Sequence, residues 1–215
     1  AKLAEQAAAK AVGMLGAKPV PSGNYRVVIE NLAMTDLLET FSPTFSAEQA
    51  QKSLSLLKGK INEAIAAPCV TVVDDPLLAE GMAGRPFDAE GVPSRRNVVV
   101  ENGVFKTFLH NLKTARKDGV QSTGNASKGS YAATVRVAPT NFYLQPGDKD
   151  LDALLSDMGD GLLITSLEGL HAGAEVVSGD FSLLSKGYLV KGGKRVRAVE
   201  QITVAGNFFA VLKQV

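Results

Sequence analysis

The chain has 215 residues, with 45% apolar and 21% charged, which suits a packed domain and excludes a disordered tail. Lys and Arg number 23 against 22 Asp and Glu, so a net charge of +1 leaves no broad basic surface, and direct nucleic-acid binding is not expected. One Cys and two His exclude an internal disulfide and a Cys/His zinc cluster, and the lone cysteine fits a reducing compartment.

The first 16 residues are Ala-rich, but Lys2, Glu5 and Lys10 interrupt them, so they form no secretory core. Leu3, Ala7, Ala11, Val12 and Leu15 recur at helical spacing and predict an amphipathic helix. No run approaches the roughly 20 apolar residues of a membrane span. Pro19 to Gly23 form a loop, and Tyr25–Glu30 reads as a buried strand. Asn31 opens a helix with Leu32, Leu37 and Leu38 inward. Ser46 with Gln49 is a capping-box pattern, predicting a helix through about Leu57. Cys69–Val73 reads as a second strand in which the thiol is a small buried hydrophobe. Gly81–Pro93 reads as an ordered loop.

Asn97–Glu101 and Val104–Leu109 flank Asn102-Gly103, the signature of a type I′ hairpin. Gly119–Tyr131 reads as a loop, and strands are expected at Ala132–Val137 and Asn141–Leu144. A helix follows over Leu151–Met158, then a short strand at Leu162–Thr165. Phe181–Val190 and Arg195–Thr203 flank Lys191–Lys194 as a second hairpin, and Gly206–Lys213 starts a final helix. Hairpins outnumber helical crossovers, so the fold class is α+β, mainly antiparallel sheet with several hairpins and flanking helices.

Chemistry-bearing patterns are sparse. There is no His-x-x-x-His pair, nucleophile elbow or phosphate loop. His110 ends the first hairpin. His171 sits in Gly169-Leu170-His171-Ala172-Gly173, where glycines permit close backbone approach. Asp88 and Glu90 either act together in their loop or form a salt-bridge network with Arg95 and Arg96. Ser122–Ser127 either lines a peptide groove or forms tight turns.

Five runs occur in a fixed order: Phe87–Asn97, Val100–Val104, Asn111–Arg116, Thr123-Gly124-Asn125 and Gly179–Ser182. By them the chain resembles the TldD/PmbA family, called modulators of DNA gyrase, and within it the PmbA (TldE) branch. The resemblance covers roughly residues 15–205. It implies a single C-terminal domain over 1–215, truncated at both ends, with residues 1–17 as the tail or linker helix of a preceding domain. The missing initiator Met and the apolar stop at Val215 fit that expectation.

The resemblance also implies a cytoplasmic two-subunit protease that degrades or matures peptides. Its TldD subunit carries a His-Glu-x-x-x-His zinc motif on a strand–helix corner. At the matching corner Glu30 and Thr35 stand where the two His would be, and Asn31 where the Glu would be. Thr is a poor zinc ligand, and an amide is no general base. The expected roles are therefore no metal or cofactor in this chain, zinc in a TldD-type partner, and a heterodimer with that partner. A homodimer is the alternative assembly. Glu90, Thr123, Gly124, Asn125 and His171 are the expected peptide contacts. Glu30 is either a substrate contact or a strand-end residue paired with a nearby Lys or Arg. The competing function is an adaptor or regulator of a gyrase or toxin–antitoxin system without proteolytic activity.

Overall fold

The structure, a computed structural model, describes residues 2–215. In chain order its elements are α1 (Lys2–Gly13), β1 (Val27–Ile29), α2 (Asn31–Phe41), a 3-10 turn (Ser42–Phe45), α3 (Ala47–Gln51) and β2 (Val72–Asp74). Next come β3 (Asn97–Glu101), β4 (Val104–Phe105), α4 (Leu112–Asp118), β5 (Ala126–Ser127), β6 (Arg136–Val137) and β7 (Phe142–Leu144). The chain ends with α5 (Leu151–Met158), β8 (Gly161–Glu168), α6 (Leu170–Gly173), β9 (Asp180–Lys191), β10 (Lys194–Asn207) and α7 (Phe208–Lys213). Helices and largely antiparallel sheets bear out the α+β class. The chain divides into two compact units, and the first boundary falls within α2, after Leu37.

The first unit, residues up to Leu37 with Asp148–Ala174 and Phe181–Ala205, holds a sheet in the order β1-β8-β9-β10. β8 and β9 pair antiparallel, and β9 and β10 are joined by Gly192 and Gly193, both at positive φ as the glycine hairpin predicts. α5 is capped by Asp150, whose Oδ1 accepts from the Ala153 N–H at 2.9 Å. Its Leu155 and Met158 pack with Leu163 and Val190 into an apolar core. β1 pairs with β8 in parallel, Val28 opposite Leu163, which the hairpin-dominated sequence did not announce. α1 forms as expected but buries no residue; Leu3 is 81% exposed.

The second unit, Leu38–Gly147 with Glu175–Asp180 and Gly206–Val215, holds the antiparallel sheet β4-β3-β2-β7 and the ribbon β5-β6. Asn102 and Gly103 both take positive φ, as the hairpin requires. Its largely aliphatic core carries aromatic pairs: Phe105 meets Phe108 edge-on at 4.7 Å, and Phe41 stacks on Phe208 at 4.7 Å.

Several expectations here are overturned. Leu32, expected inward on α2, is exposed, and β1 is exposed at Val27 and only half-buried beyond it. α3 stops at Gln51 rather than Leu57, because Ser53 adopts φ 60° and leaves Leu54 exposed while Leu57 is buried in a later turn. The Ser46 hydroxyl accepts from the Glu48 N–H, so Gln49 completes no capping box. Cys69 is exposed, because the strand begins only at Val72; its thiol is no core residue.

Candidate functional site

The expected site residues divide between the two units. Glu30, Asn31, Thr35 and His171 belong to the first, and Glu90, Thr123, Gly124 and Asn125 to the second.

The β1–α2 corner is built from backbone bonds. The Glu30 N–H donates to the Ile164 carbonyl at 2.8 Å, and its own carbonyl accepts from the Met34 N–H at 2.9 Å. The Asn31 amide oxygen accepts from the Leu32 N–H, and the Thr35 hydroxyl donates to the Asn31 carbonyl at 2.9 Å. The Asn31 side chain thereby satisfies one of the N–H groups a helix start leaves free, and the Thr35 hydroxyl is tied to the backbone of its own first turn. Among the described residues no ion pair involves Glu30, so the pairing expected with Lys or Arg is not formed. No group of three His, Cys, Asp or Glu among the described residues is placed to hold a metal. The donor set at this corner does not fit zinc, which needs thiolate, imidazole or carboxylate ligands.

In the second unit the motif residues form an internal lattice of hydrogen bonds. Asp88 is buried and turns the Phe87–Pro93 loop: Oδ1 accepts from the N–H groups of Glu90 at 2.9 Å and Val92 at 3.0 Å, and Oδ2 from Ala126 at 2.9 Å. The Glu90 carboxylate accepts from the Leu112 N–H at 2.7 Å, the first amide of α4. Asn111 and Thr114 close a capping box on the same helix. The salt-bridge network expected among Asp88, Glu90, Arg95 and Arg96 does not form. Arg95 instead donates to the Ser122 carbonyl, and Arg96 reaches Asp75 at 3.8 Å.

Thr123, Gly124 and Asn125 are buried rather than laid along an open groove. The Thr123 hydroxyl accepts from the His110 N–H at 2.6 Å and donates to Asn125 Oδ1 at 2.7 Å. Asn125 Nδ2 donates to Asp74 Oδ2 at 2.7 Å. These side chains are spent on holding the chain, which favours the tight-turn alternative for this segment. His171 lies exposed on α6, in a different unit from this lattice.

Sequence reasoning missed Asp74 and noted His110 only as the end of the first hairpin; both are centres of the lattice. Asp74 is fully buried at the end of β2 and also accepts from the Thr140 N–H and hydroxyl. Burial raises its carboxyl above the usual range, against the hydrogen bonds from Asn125 and Thr140 and the charge of Arg85. The signal was a carboxylate placed directly after an apolar strand.

His110 is 3% exposed, and its Nδ1 has no hydrogen-bond partner. Burial pushes its imidazole below the ordinary value, with the Asp118 charge opposing. A lowered histidine stabilises the fold above the unfolded value of about 6.5 and withdraws that stability as pH falls toward the folded value. Urea midpoints taken from pH 7 to pH 5 should therefore fall more steeply for the natural chain than for His110→Gln. Parallel curves for the two would refute this.

The lattice and the two sheet-bearing units define an α+β domain whose buried polar side chains hold its loops together. Residues 22–215 match the model of the PmbA/TldA metallopeptidase C-terminal domain, and the chain belongs to this family. A protein of Archaeoglobus fulgidus named metalloprotease is 33% identical over 204 residues, covering 94% of this chain and 47% of that protein. A Thermotoga maritima crystal structure, described as a modulator of a DNA gyrase, superimposes with a TM-score of 0.94 at 47% identity, covering 100% of this chain and 49% of that one. TldE from Thermococcus kodakarensis gives a TM-score of 0.89 at 27% identity, covering 98% of this chain and 48% of that one. The chain thus spans about half the length of these relatives. Among the described residues, no helix is long and apolar enough to cross a membrane.

Proposed function

We propose that this chain is the PmbA/TldE-type subunit of a cytoplasmic two-subunit metalloprotease acting on peptides, with zinc held by a TldD-type partner. The observation that carries the proposal is the β1–α2 corner. There Glu30, Asn31 and Thr35 replace the zinc motif, and the Thr35 hydroxyl and the Asn31 amide oxygen are committed to helix backbone. A hydroxyl bonded to its own helix neither binds zinc nor activates water. The likeness to a structure named TldE supports the same subunit type. In this role the chain contributes docking and peptide-binding surface, and the reacting water belongs to the partner.

The test is hydrolysis of an unstructured peptide by the full-length protein, alone and mixed with a zinc-loaded TldD-type partner, with a chelator control. Hydrolysis only in the mixture, abolished by chelator, is the expected result. Chelator-resistant hydrolysis by this protein alone would overturn the proposal. An inactive mixture with a folded, metal-loaded partner would leave the adaptor function in its place.

A further inference from the structure

The second unit carries a cleft of about 370 Å³ between the end of α2, the first turn of α3 and β6. Its lining polar groups are largely unspent. Ser42 is 7% exposed, yet its hydroxyl makes no hydrogen bond among the described residues. The side chains of Glu39, Gln49 and Arg136 also line the cleft and form no ion pair or hydrogen bond there; Glu39 and Arg136 are open to solvent, and the Arg136 charge also draws on Glu48. A concave surface with a few convergent polar groups is the default place to look for a ligand site.

One wall is a strand edge. β6 pairs with β5 antiparallel, Val137 opposite Ala126, and the Ala138 N–H donates inward to the Asn125 carbonyl at 3.1 Å. Alternation along a strand therefore turns the Val137 N–H and C=O away from β5, toward the cleft. That N–H reaches only Glu48 Oε2, at a long 3.5 Å. Glu48 is held chiefly by Lys52 at 2.6 Å, so a peptide carbonyl can take its place on Val137 without stranding the carboxylate.

We propose that this cleft binds an extended peptide segment, which adds to the outer edge of β6 and sets a carboxylate on Arg136 and a cationic side chain on Glu39. Main-chain pairing recognises extended peptides of varied sequence. A guanidinium forms paired bonds with a carboxylate. One Arg136 between Glu39 and Glu48 cannot balance a multiply charged phosphate, whereas a peptide brings a single carboxylate to Arg136 and a cation to Glu39. The assignment rests on the peptide-directed function proposed above and adds to it a location on this subunit.

The test is a titration of the isotope-labelled full chain, followed by amide chemical shifts. The probe is a short synthetic peptide alternating valine and threonine, with a central lysine and a free C-terminal carboxylate. Saturable shifts at Val137, Gln49 and Ser46 are expected. Arg136→Glu, an exposed change outside the core, should weaken binding about tenfold. The same peptide N-methylated at alternate amides should weaken it comparably. Silence at millimolar peptide, shifts only outside the cleft, or equal binding of the N-methylated peptide would overturn the assignment. Peptide hydrolysis by the two-subunit mixture beside a silent titration removes the cleft and keeps the subunit role; a saturable titration beside an inactive mixture does the reverse.

Discussion

Asp88→Ala should lower unfolding stability by roughly 3 kcal/mol, read as a shifted urea midpoint at unchanged slope. The carboxylate is buried and receives three backbone N–H groups, from Glu90, Val92 and Ala126. Removing it leaves those donors facing a methyl group. The Ala126 amide suffers most, because Ala126 is fully buried and begins β5. A buried donor without an acceptor costs about 1–3 kcal/mol, and hydrogen bonds to a charged acceptor lie at the upper end of the range. Asp88→Asn keeps one oxygen but turns an NH₂ toward an N–H, so it should fall between alanine and the natural residue. Glu90→Ala offers the contrast: its carboxylate meets one amide at the start of α4, and its loss should cost about 0.5–1 kcal/mol. Equal effects at the two positions would show that Asp88 does not organise the loop.

Gly187→Ala should be at least as damaging, with a loss of about 3 kcal/mol or more and a melting temperature lower by about 6–12 °C. Gly187 lies opposite Ile164 in the β8–β9 ladder, beside a register shift between Ile164 and Ser166. A Cβ there would sit 1.8 Å from the Leu163 carbonyl oxygen and 3.1 Å from the Ile164 Cα. Both are backbone atoms of the strand between β1 and β9, so no side chain can swing aside. The strands must part, and the buried Leu163 and Ile164 part with them. Gly129→Ala is the control, since a Cβ there meets nothing within 4 Å. A Gly187→Ala chain melting with the natural one would refute the steric argument.

Local chemistry determined what the sequence could determine alone. Asn102-Gly103 and Gly192-Gly193 specify their hairpins because a two-residue turn needs positive φ at both positions. Asp150 before an apolar run specifies the start of α5 through a side-chain cap. The ordered runs around Asp88, Asn111 and Thr123 carried the family resemblance, since each depends on side chains that bond within a few residues or to a fixed neighbouring loop. The corner residues Glu30, Asn31 and Thr35 could be compared with a zinc motif on residue type alone.

Tertiary structure decided the rest, because the partners lie far apart in the chain. Thr123 and Asn125 look like groove residues by composition, yet His110 and Asp74 arrive from other segments and draw them inside. Cys69 looks like core by its apolar neighbours, but strand pairing starts three residues later, at Val72 opposite Val100 and Leu144. The parallel match of β1 to β8 has no turn to signal it, since its strands are joined by most of the second unit. The cleft beside β6 was invisible for the same reason: Glu39, Ser42 and Arg136 share a surface only after packing of distant segments has placed them there. Short-range bonds are written in neighbouring residues, whereas burial and edge exposure depend on which remote segment arrives to cover them.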